Sequence, residues 1–483
     1  MFKYYGKNTR PFTAVLQNGF GRQVITTNAQ AITSDNVVDE LNKALNVHRL
    51  NADEIDYLDK YYSGDQPILY RKKANRPEVN NKIVENLALF IVETKTAQIT
   101  GEPIQYVLRG TDETKSDEIA RLNTIMEGED KSYYDIELAR WRSICGTAYR
   151  FIGIETDEQL LDESDFYLST EDPRYTFVVY RSDRKDKAMF SCQIREDDNG
   201  ANIYNVYTSS YFFKIKDDEI IETAINGNGA IPVVEYPNNA RRLSDIEITI
   251  LLTDDINSKA SDRSNGIEQF VSSWIKFINC EIDVETFKAM RQEGALVVKS
   301  NNGTENKADV DVMTNELNQT EAQVAVADSF DKLLLIQGLA SRNATSSDGG
   351  STTGAVELRN GHYDAEKRAE LSEPIFKRAE RNALRIILNR LRINNKFTLQ
   401  PSDVEIHISR TKMDNMQTKA QVLQMLLACG VKYERAIKTI GLFSDPEQVA
   451  IESRKRMEIL YPETVTQPTE PQEVIQVEEN TKR

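Results

Sequence analysis

Histidine, cysteine and tryptophan are scarce in this chain of 483 residues, at 3, 4 and 2 copies, and positive charge is in deficit. Each shortage removes a class of function. Cys145, Cys192, Cys280 and Cys429 stand far apart and form no CxxC pair, which speaks against a zinc site and a disulfide framework and predicts free thiols in a reducing compartment. His48, His362 and His407 are too few and too dispersed for a histidine metal centre. Asp and Glu number 76 against 60 Lys and Arg, a net charge of −16, so the chain does not hold DNA by broad neutralisation of phosphates. Apolar runs such as Leu87–Val92 are far too short to span a bilayer, and Met1–Arg10 lacks the apolar core of a signal peptide. No membrane partner is expected.

Catalytic signatures are also missing. A phosphate loop needs GxxxxGK followed by Ser or Thr, but the one Gly-Lys pair, Gly6-Lys7, is followed by Asn8, and GxGxxG, GxSxG and HExxH do not occur. The pair Asp254-Asp255 could in principle hold Mg²⁺ as in a nuclease, but adjacent side chains on a helix point in different directions. Asp198-Asn199-Gly200 lacks the alternating ligands and distal Glu of a calcium loop. No catalytic residue, metal or cofactor is nominated, and an enzyme is not expected.

What is present is a large folded chain. Hydrophobic residues make up 40% and aromatics 8%, and the length exceeds one core, so about two to four domains are expected. Thr33-Ser34-Asp35 predicts a helix start, with Val37, Leu41, Ala44 and Leu45 as its stripe. Asn51-Ala52-Asp53-Glu54 predicts a second, short helix, and a third is predicted from about Asn81 to Thr100, stopped by Gly101. A helix over 132–147 leads into period-two segments at 149–154, 177–180, 188–194 and 203–207, with the hairpin turn Asp197–Gly200. Helices follow over about 244–274 and 320–339, a strand over 293–299, and a long helical region over 353–394 that Pro374 should kink or break. Leu423, Leu426 and Leu427 mark a C-terminal helix ended by Gly430, with another starting at Ser444-Asp445-Pro446-Glu447. The fold class is α+β, mainly helical.

Three stretches carry the functional reading. Ala344–Glu357 contains Gly349, Gly350 and Gly354 among Ser and Thr, a polar loop that runs into the long helix. The predicted helix over about 244–274 has a face of small residues, Asn257, Ser258, Ala260, Ser261, Ser264, Asn265 and Gly266, suited to close approach of another helix. Residues 243–273 carry six acidic side chains (Asp245, Glu247, Asp254, Asp255, Asp262, Glu268) against two basic ones (Lys259, Arg263), a net of −4.

The order of these segments resembles the portal proteins of long-tailed double-stranded DNA phages. Tyr61–Ile68, Asn80–Asn86 and Gly101-Glu102-Pro103-Ile104 resemble the family's N-terminal signature. Ile231–Asn239 with Ser244-Asp245-Ile246-Glu247 resembles its lead-in to the first channel helix, Thr353–Glu357 its Ser-Gly-x-Ala segment with Thr353 in place of Ser, and Gly430–Glu452 its C-terminal cap. The resemblance covers about residues 37–460. It implies an N-terminal arm at 1–36, a wing at 37–239, stem helices at 240–274 and 320–340 flanking a clip at 275–319, a tunnel loop at 341–354, a long wing helix and β segment at 355–413, a crown at 414–460 and an acidic tail at 461–483.

The same resemblance implies a ring of about twelve copies at a capsid vertex, through which double-stranded DNA passes. It implies partners in the terminase large subunit, the head–tail adaptor, and the capsid and scaffolding proteins. DNA would face Asn343, Thr345, Ser346, Ser347, Asp348, Gly349, Gly350, Ser351 and Thr352 in the tunnel loop and Asp254, Asp255, Lys259, Asp262, Arg263 and Lys332 in the stem, while Glu281, Asp283 and Glu285 would serve clip docking. At −16 per chain, such a ring carries roughly −192, enough to hold DNA off its wall. A non-viral oligomeric scaffold remains the alternative.

Overall fold

The computed structural model describes residues 21–73, 77–110, 113–155, 164–184, 186–271, 274–278, 309–313, 319–340, 362–393, 397–408 and 416–440, with positions 285, 288, 449 and 453 standing singly. Its helices are α1 (Val37–Tyr62), α2 (Leu87–Thr100), α3 (Glu113–Gly128), α4 (Lys131–Cys145), α5 (Asp245–Val271), α6 (Gln319–Gln337), α7 (His362–Ile393), α8 (Met416–Ala428) and α9 (Tyr433–Ile440). Its strands are β1 (Thr26–Thr27), β2 (Gln105–Leu108), β3 (Thr147–Ile154), β4 (Phe166–Glu171), β5 (Thr176–Arg181), β6 (Ala188–Glu196), β7 (Asn202–Tyr207), β8 (Tyr211–Lys216), β9 (Glu219–Ile225), β10 (Val233–Pro237), β11 (Trp274–Ile278), β12 (Asp309–Met313) and β13 (Val404–His407). This is the expected α+β mixture, about half helical.

β5 to β9 form an antiparallel meander, extended at one edge by the parallel strand β1, in the order β1-β5-β6-β7-β8-β9. The predicted turn at Asp197–Gly200 joins β6 to β7. Asp197 accepts the Asn199 and Ala201 amides at 2.9 and 2.7 Å, and Gly200 takes a φ of +77°. One face of this sheet is covered by α1, whose Val37, Leu41, Ala44 and Leu45 pack on Phe177, Val179, Phe190 and Val206. The two helices expected at 37 and 51 are one. Asn51 is not a start signal; its buried side chain pairs with the backbone of Gln23, accepting from N–H and donating to C=O, both at 2.9 Å. The helix begins after Asn36 rather than after Thr33–Asp35, and the Asn36 side chain turns back to the Thr33 amide at 2.8 Å.

The largest core gathers around α7, with the three-stranded sheet β10-β3-β4 and the pair β13-β2 packed against it. Phe376, Ala379, Ala383, Leu384, Ile387, Leu388 and Leu391 form the inward stripe. Pro374 lies inside α7 without ending it, so of the expected kink or break the break does not occur. One ladder bond is lost there, at about 3 kcal/mol. The next turn is held by Phe376, fully buried with its ring 5.1 Å from that of Tyr236 and the Arg142 guanidinium 5.7 Å above it.

At the centre of this core sits a neutral set of four charges. Glu380 is fully buried and accepts from the Tyr106 and Tyr236 hydroxyls at 2.6 Å each. Lys131 lies 3.1 Å and Arg150 3.4 Å from its carboxylate, and both cations also pair with Asp135. Burial alone would raise the Glu380 carboxyl, but Lys131 and Arg150, with the two tyrosine hydroxyls, hold it down at about 2. The set joins α4, β2, β3 and β10 to α7.

Candidate functional site: an antiparallel helix pair and its roots

α5 opens at a reciprocal cap. Ser244 Oγ accepts the Ile246 amide at 3.0 Å and Glu247 Oε2 accepts the Ser244 amide at 2.8 Å, the Ser-x-x-Glu capping box readable in the sequence. The Ser244 hydroxyl also donates to the Ile144 carbonyl at 2.6 Å, which fastens the start of α5 to the end of α4. Glu247 is buried against Arg22, whose Nε lies 2.9 Å from Glu54. Burial pushes the Glu54 carboxyl up to about 7, with the second carboxylate Glu247 adding to the effect of burial over the attraction of Arg22.

α6 returns antiparallel to α5. Near its C-terminal end Gln337 donates to the Asp245 carbonyl at 2.7 Å and to Thr249 Oγ1 at 2.8 Å; one stretch lower Lys259 donates to Ser329 Oγ at 2.8 Å. Ile256, Leu333 and Leu334 are buried between the two helices together with Leu87 and Ile91 of α2. Beyond the helices the pair is prolonged by β11 and β12, which run antiparallel with Trp274 opposite Met313 and Ile278 opposite Asp309. The sequence reading carried the first helix to Trp274; the helix ends at Val271 and Trp274 opens the strand. The strand expected at 293–299 lies outside the described residues.

The small-residue face of α5 packs within its own chain. Asn257, Ser261 and Asn265, four residues apart, are buried and line up against residues 81–85, which are extended. Asn265 Oδ1 accepts the Asn81 amide at 2.7 Å, Ser261 Oγ the Ile83 amide at 2.9 Å and Asn257 Oδ1 the Glu85 amide at 3.0 Å. Two periods match here. Four helical residues advance about 6.0 Å and two extended residues about 6.6 Å, so every second amide meets every fourth side chain. This ladder replaces the helix expected from Asn81. α2 starts only at Leu87, after Asn86, which takes a φ of +41° and bonds the Tyr62 carbonyl at 3.0 Å. Gln66 closes the set, donating to Asn86 Oδ1 at 3.1 Å and accepting from Asn257 Nδ2 at 2.5 Å.

The acidic residues of α5 do not form a single face. Asp254 accepts from the Tyr61 hydroxyl at 3.0 Å, Asp262 lies 3.0 Å from Arg71 and 3.5 Å from Lys73, and Glu268 accepts from Asn81 at 2.7 Å. Asp255 pairs with Lys259 at 2.7 Å, Lys332 with Asp328 at 2.6 Å, and Arg263 is exposed. Asp254 and Asp255 point apart. Among the described residues no group of three or more His, Cys, Asp or Glu side chains gathers to hold a metal.

α6 ends in a Schellman turn. Gly338, at φ +66°, bonds the Leu335 carbonyl at 3.2 Å and Leu339 bonds the Leu334 carbonyl at 2.9 Å. Two cations add to these bonds, Lys95 of α2 donating to the Gln337 carbonyl at 2.7 Å and Arg368 of α7 to the Leu335 carbonyl at 2.9 Å. The chain therefore leaves α6 and returns on α7 at one place. Between these roots lie Asn343, Thr345, Ser346, Ser347, Asp348, Gly349, Gly350, Ser351 and Thr352, all outside the described residues, as are Glu281 and Asp283; Glu285 is exposed.

The fold is thus an α+β body carrying an antiparallel helix pair that continues into a strand pair. The sequence matches the family described as "Phage portal protein, SPP1 Gp6-like" over residues 41–459, and the chain belongs to that family of structural proteins. No curated protein matches. A solved structure described as "Neck of empty GTA particle computed with C6 symmetry" contains a chain similar to this one, with a TM-score of 0.45 and 10% identity over 74% of this chain and 90% of that one. Among the described residues no helix is long and apolar enough to cross a membrane.

Proposed function

We propose that this chain is the portal subunit of a phage-type particle, assembling a ring of about twelve copies at one capsid vertex through which double-stranded DNA is packaged and later ejected. Family membership over residues 41–459 supports portal function. The observation that carries the ring is the apolar surface a single copy leaves uncovered on the helix pair: Ile248 is 45%, Leu251 64%, Leu335 69% and Ile336 50% exposed. Apolar exposure on that scale marks an interaction face, and a cyclic assembly covers it by placing α5 and α6 of one copy against those of the next.

In this reading α5 and α6 are the stem, residues 275–319 the clip, 341–354 the tunnel loop and 414–460 the crown, while 37–239 with α7 form the wing. The stem residues Asp255, Lys259, Asp262, Arg263 and Lys332 face the channel, with Asp254 turned to Tyr61 behind them. The i,i+4 pairs Asp255–Lys259 and Asp328–Lys332 make the exposed stem locally neutral. DNA then slides past alternating charges rather than along a uniformly negative wall, and makes no tight phosphate contacts that would stall it. The clip residues Glu281, Asp283 and Glu285 dock the terminase large subunit and later the head–tail adaptor, and the capsid and scaffolding proteins surround the wing. The ring belongs to the virion and is assembled in the host cytoplasm.

The test is negative-stain electron microscopy of the purified protein with end-on class averages, alongside the variants Leu251→Asp and Leu335→Asp. Rings with a central hole about the width of a DNA duplex, lost in the variants, are expected. Compact closed oligomers without a channel would refute the reading.

A further inference from the structure

Where α2, α4, α7 and the start of α5 meet, they enclose a cavity of about 60 Å³, room for about four water molecules. Its lining includes three cations, Lys95, Arg142 and Arg368, and one carboxylate, Asp245. This is a surplus of two positive charges, in contrast to the balanced set around Glu380. Arg142 is buried and donates to the carbonyls of Pro237 at 3.1 Å and Asn238 at 3.3 Å. Lys95 donates to the Gln337 carbonyl and Arg368 to the Leu335 carbonyl, so all three bond to neutral backbone oxygens, and none has an ion pair among the described residues. Asp245 is engaged by Ser143 at 2.7 Å and Asn238 at 3.2 Å.

Clustering like charges in a partly buried space is costly unless a counter-charge enters. The cost is visible in the groups themselves. Burial pulls the Lys95 ammonium below its ordinary range, Asp245 opposing and Arg368 adding to the effect, and burial lowers the Arg142 guanidinium to about 10. Ser143, Ser372 and Asn238 also line this space, but their donors are engaged within the protein, Ser143 and Asn238 on Asp245 and Ser372 on the Ala369 carbonyl at 2.8 Å, which leaves recognition to the three cations. Arg368 is exposed, so the cavity has a route to solvent.

We propose that this cavity is a binding site for a small tetrahedral oxyanion of the phosphate or sulfate class. Two guanidinium groups and an ammonium converging on one space suit the geometry of such an ion, which accepts several charge-assisted hydrogen bonds at once. The bound ion neutralises the surplus and joins four helices at the roots of 341–361. Lys95 and Arg368 both hold the C-terminal end of α6 while reaching the ion, so its occupancy sets how firmly α6 is clamped to α2 and α7 there. The inference does not depend on ring assembly or on DNA passage.

The experiment is isothermal titration of inorganic phosphate into the full chain, with melting temperatures recorded in phosphate against sodium chloride of equal ionic strength. Saturable binding and a rise in melting temperature that grows with phosphate are expected. Lys95→Gln and Arg368→Gln each remove one charge-assisted contact and are expected to weaken binding by about tenfold or more. Arg368 is exposed, so its variant serves even if the Lys95 variant folds poorly. Absence of phosphate binding in the natural chain, or equal affinity in both variants, overturns the proposal. So does an equal thermal shift from acetate, because the site would then select charge without oxyanion shape.

Discussion

The ladder between α5 and residues 81–85 makes a local prediction whose size can be worked out. Ser261→Ala removes one hydroxyl from a fully buried position and leaves no space larger than an oxygen atom, so packing is unchanged. What is lost is the acceptor for the Ile83 amide at 2.9 Å. A donor left without a partner in a partly buried place costs about 1–3 kcal/mol. Ile83 is half-buried, so water recovers part of this and about 1–2 kcal/mol is expected. Alanine is the better helix former by about 0.5 kcal/mol, which offsets part of the loss, and the remainder is a small shift in the global melting curve of so large a chain. The informative assay is therefore hydrogen–deuterium exchange resolved to residues 79–87, which reads the opening of this segment alone. At about 1.4 kcal/mol per tenfold, exchange at Ile83 should quicken about five- to thirtyfold. Asn257→Ala should do the same at Glu85, and Ser258→Ala, on the neighbouring half-buried position, should leave the segment unchanged. Unaltered exchange in both ladder variants would refute the argument that α5 holds this segment by its side chains.

Other outcomes follow from the same geometry. Glu380→Gln leaves Lys131 and Arg150 with only Asp135 as counter-charge and is expected to cost about 3–5 kcal/mol, read as a lower urea midpoint. Because the folded Glu380 carboxyl is depressed from its ordinary 4.5 to about 2, its contribution is full above about pH 4.5 and is lost as pH falls toward 2; the variant should have a flatter acid limb. Glu54 has the opposite sign. Its folded value is raised from 4.5 to about 7, so the folded state binds the extra proton, and stability should decline as pH rises across that interval; Glu54→Gln should remove that slope in melting temperatures taken from pH 5 to 8. Gly338→Ala places a Cβ at a φ of +66° and 2.3 Å from Arg368 Cδ, and should cost about 1–2 kcal/mol while speeding amide exchange at Gly338 and Leu339.

The parts of the fold set by local period were legible in the sequence. The strands β5 to β7 of the meander show alternation and one Asn-Gly turn, and α6 and the body of α5 show helical spacing, while β8 was not marked. The capping box at Ser244-Asp245-Ile246-Glu247 could also have been recognised as such. What escaped was decided by partners far along the chain. Residues 81–86 carry Ile83 and Val84 just before an apolar run and pass for the first turn of α2; only the amide acceptors 172, 178 and 184 positions away hold 81–85 out of the helix. Asn51 has the composition of a helix start but spends its amide on Gln23. Pro374 breaks an isolated helix, yet a buried Phe376 holds this one. α3 and the pairing of β2 with β13 left too little pattern, since β2 and β13 are four residues each and join segments 296 positions apart at Leu108 and Val404. The small residues of α5 were noticed, but their spacing of four was the signal that mattered: Asn257, Ser261 and Asn265 are acceptors on one face, not merely small.

The proposed tunnel loop can be tested without disturbing the fold because the end of α6 that precedes it is held by groups outside it. Gly338 and Leu339 close α6 by backbone bonds, and Lys95 and Arg368 cover its last carbonyls. Deleting Ser346–Ser351 shortens a segment whose closure entropy changes slowly with length, so the stem pair and α7 should keep their melting behaviour. If that segment steadies DNA in the channel, particles carrying the deletion should assemble normally but package shorter genomes or lose DNA after filling, measured as packaged genome length by pulsed-field electrophoresis. Normal filling with normal retention would remove the loop from the mechanism and leave passage to the stem surface, where Asp255–Lys259 and Asp328–Lys332 alternate in sign. Reversing Lys259 and Lys332 together to Glu would then be the decisive change, since it converts a neutral wall into one that repels phosphate over about a Debye length of about 8 Å.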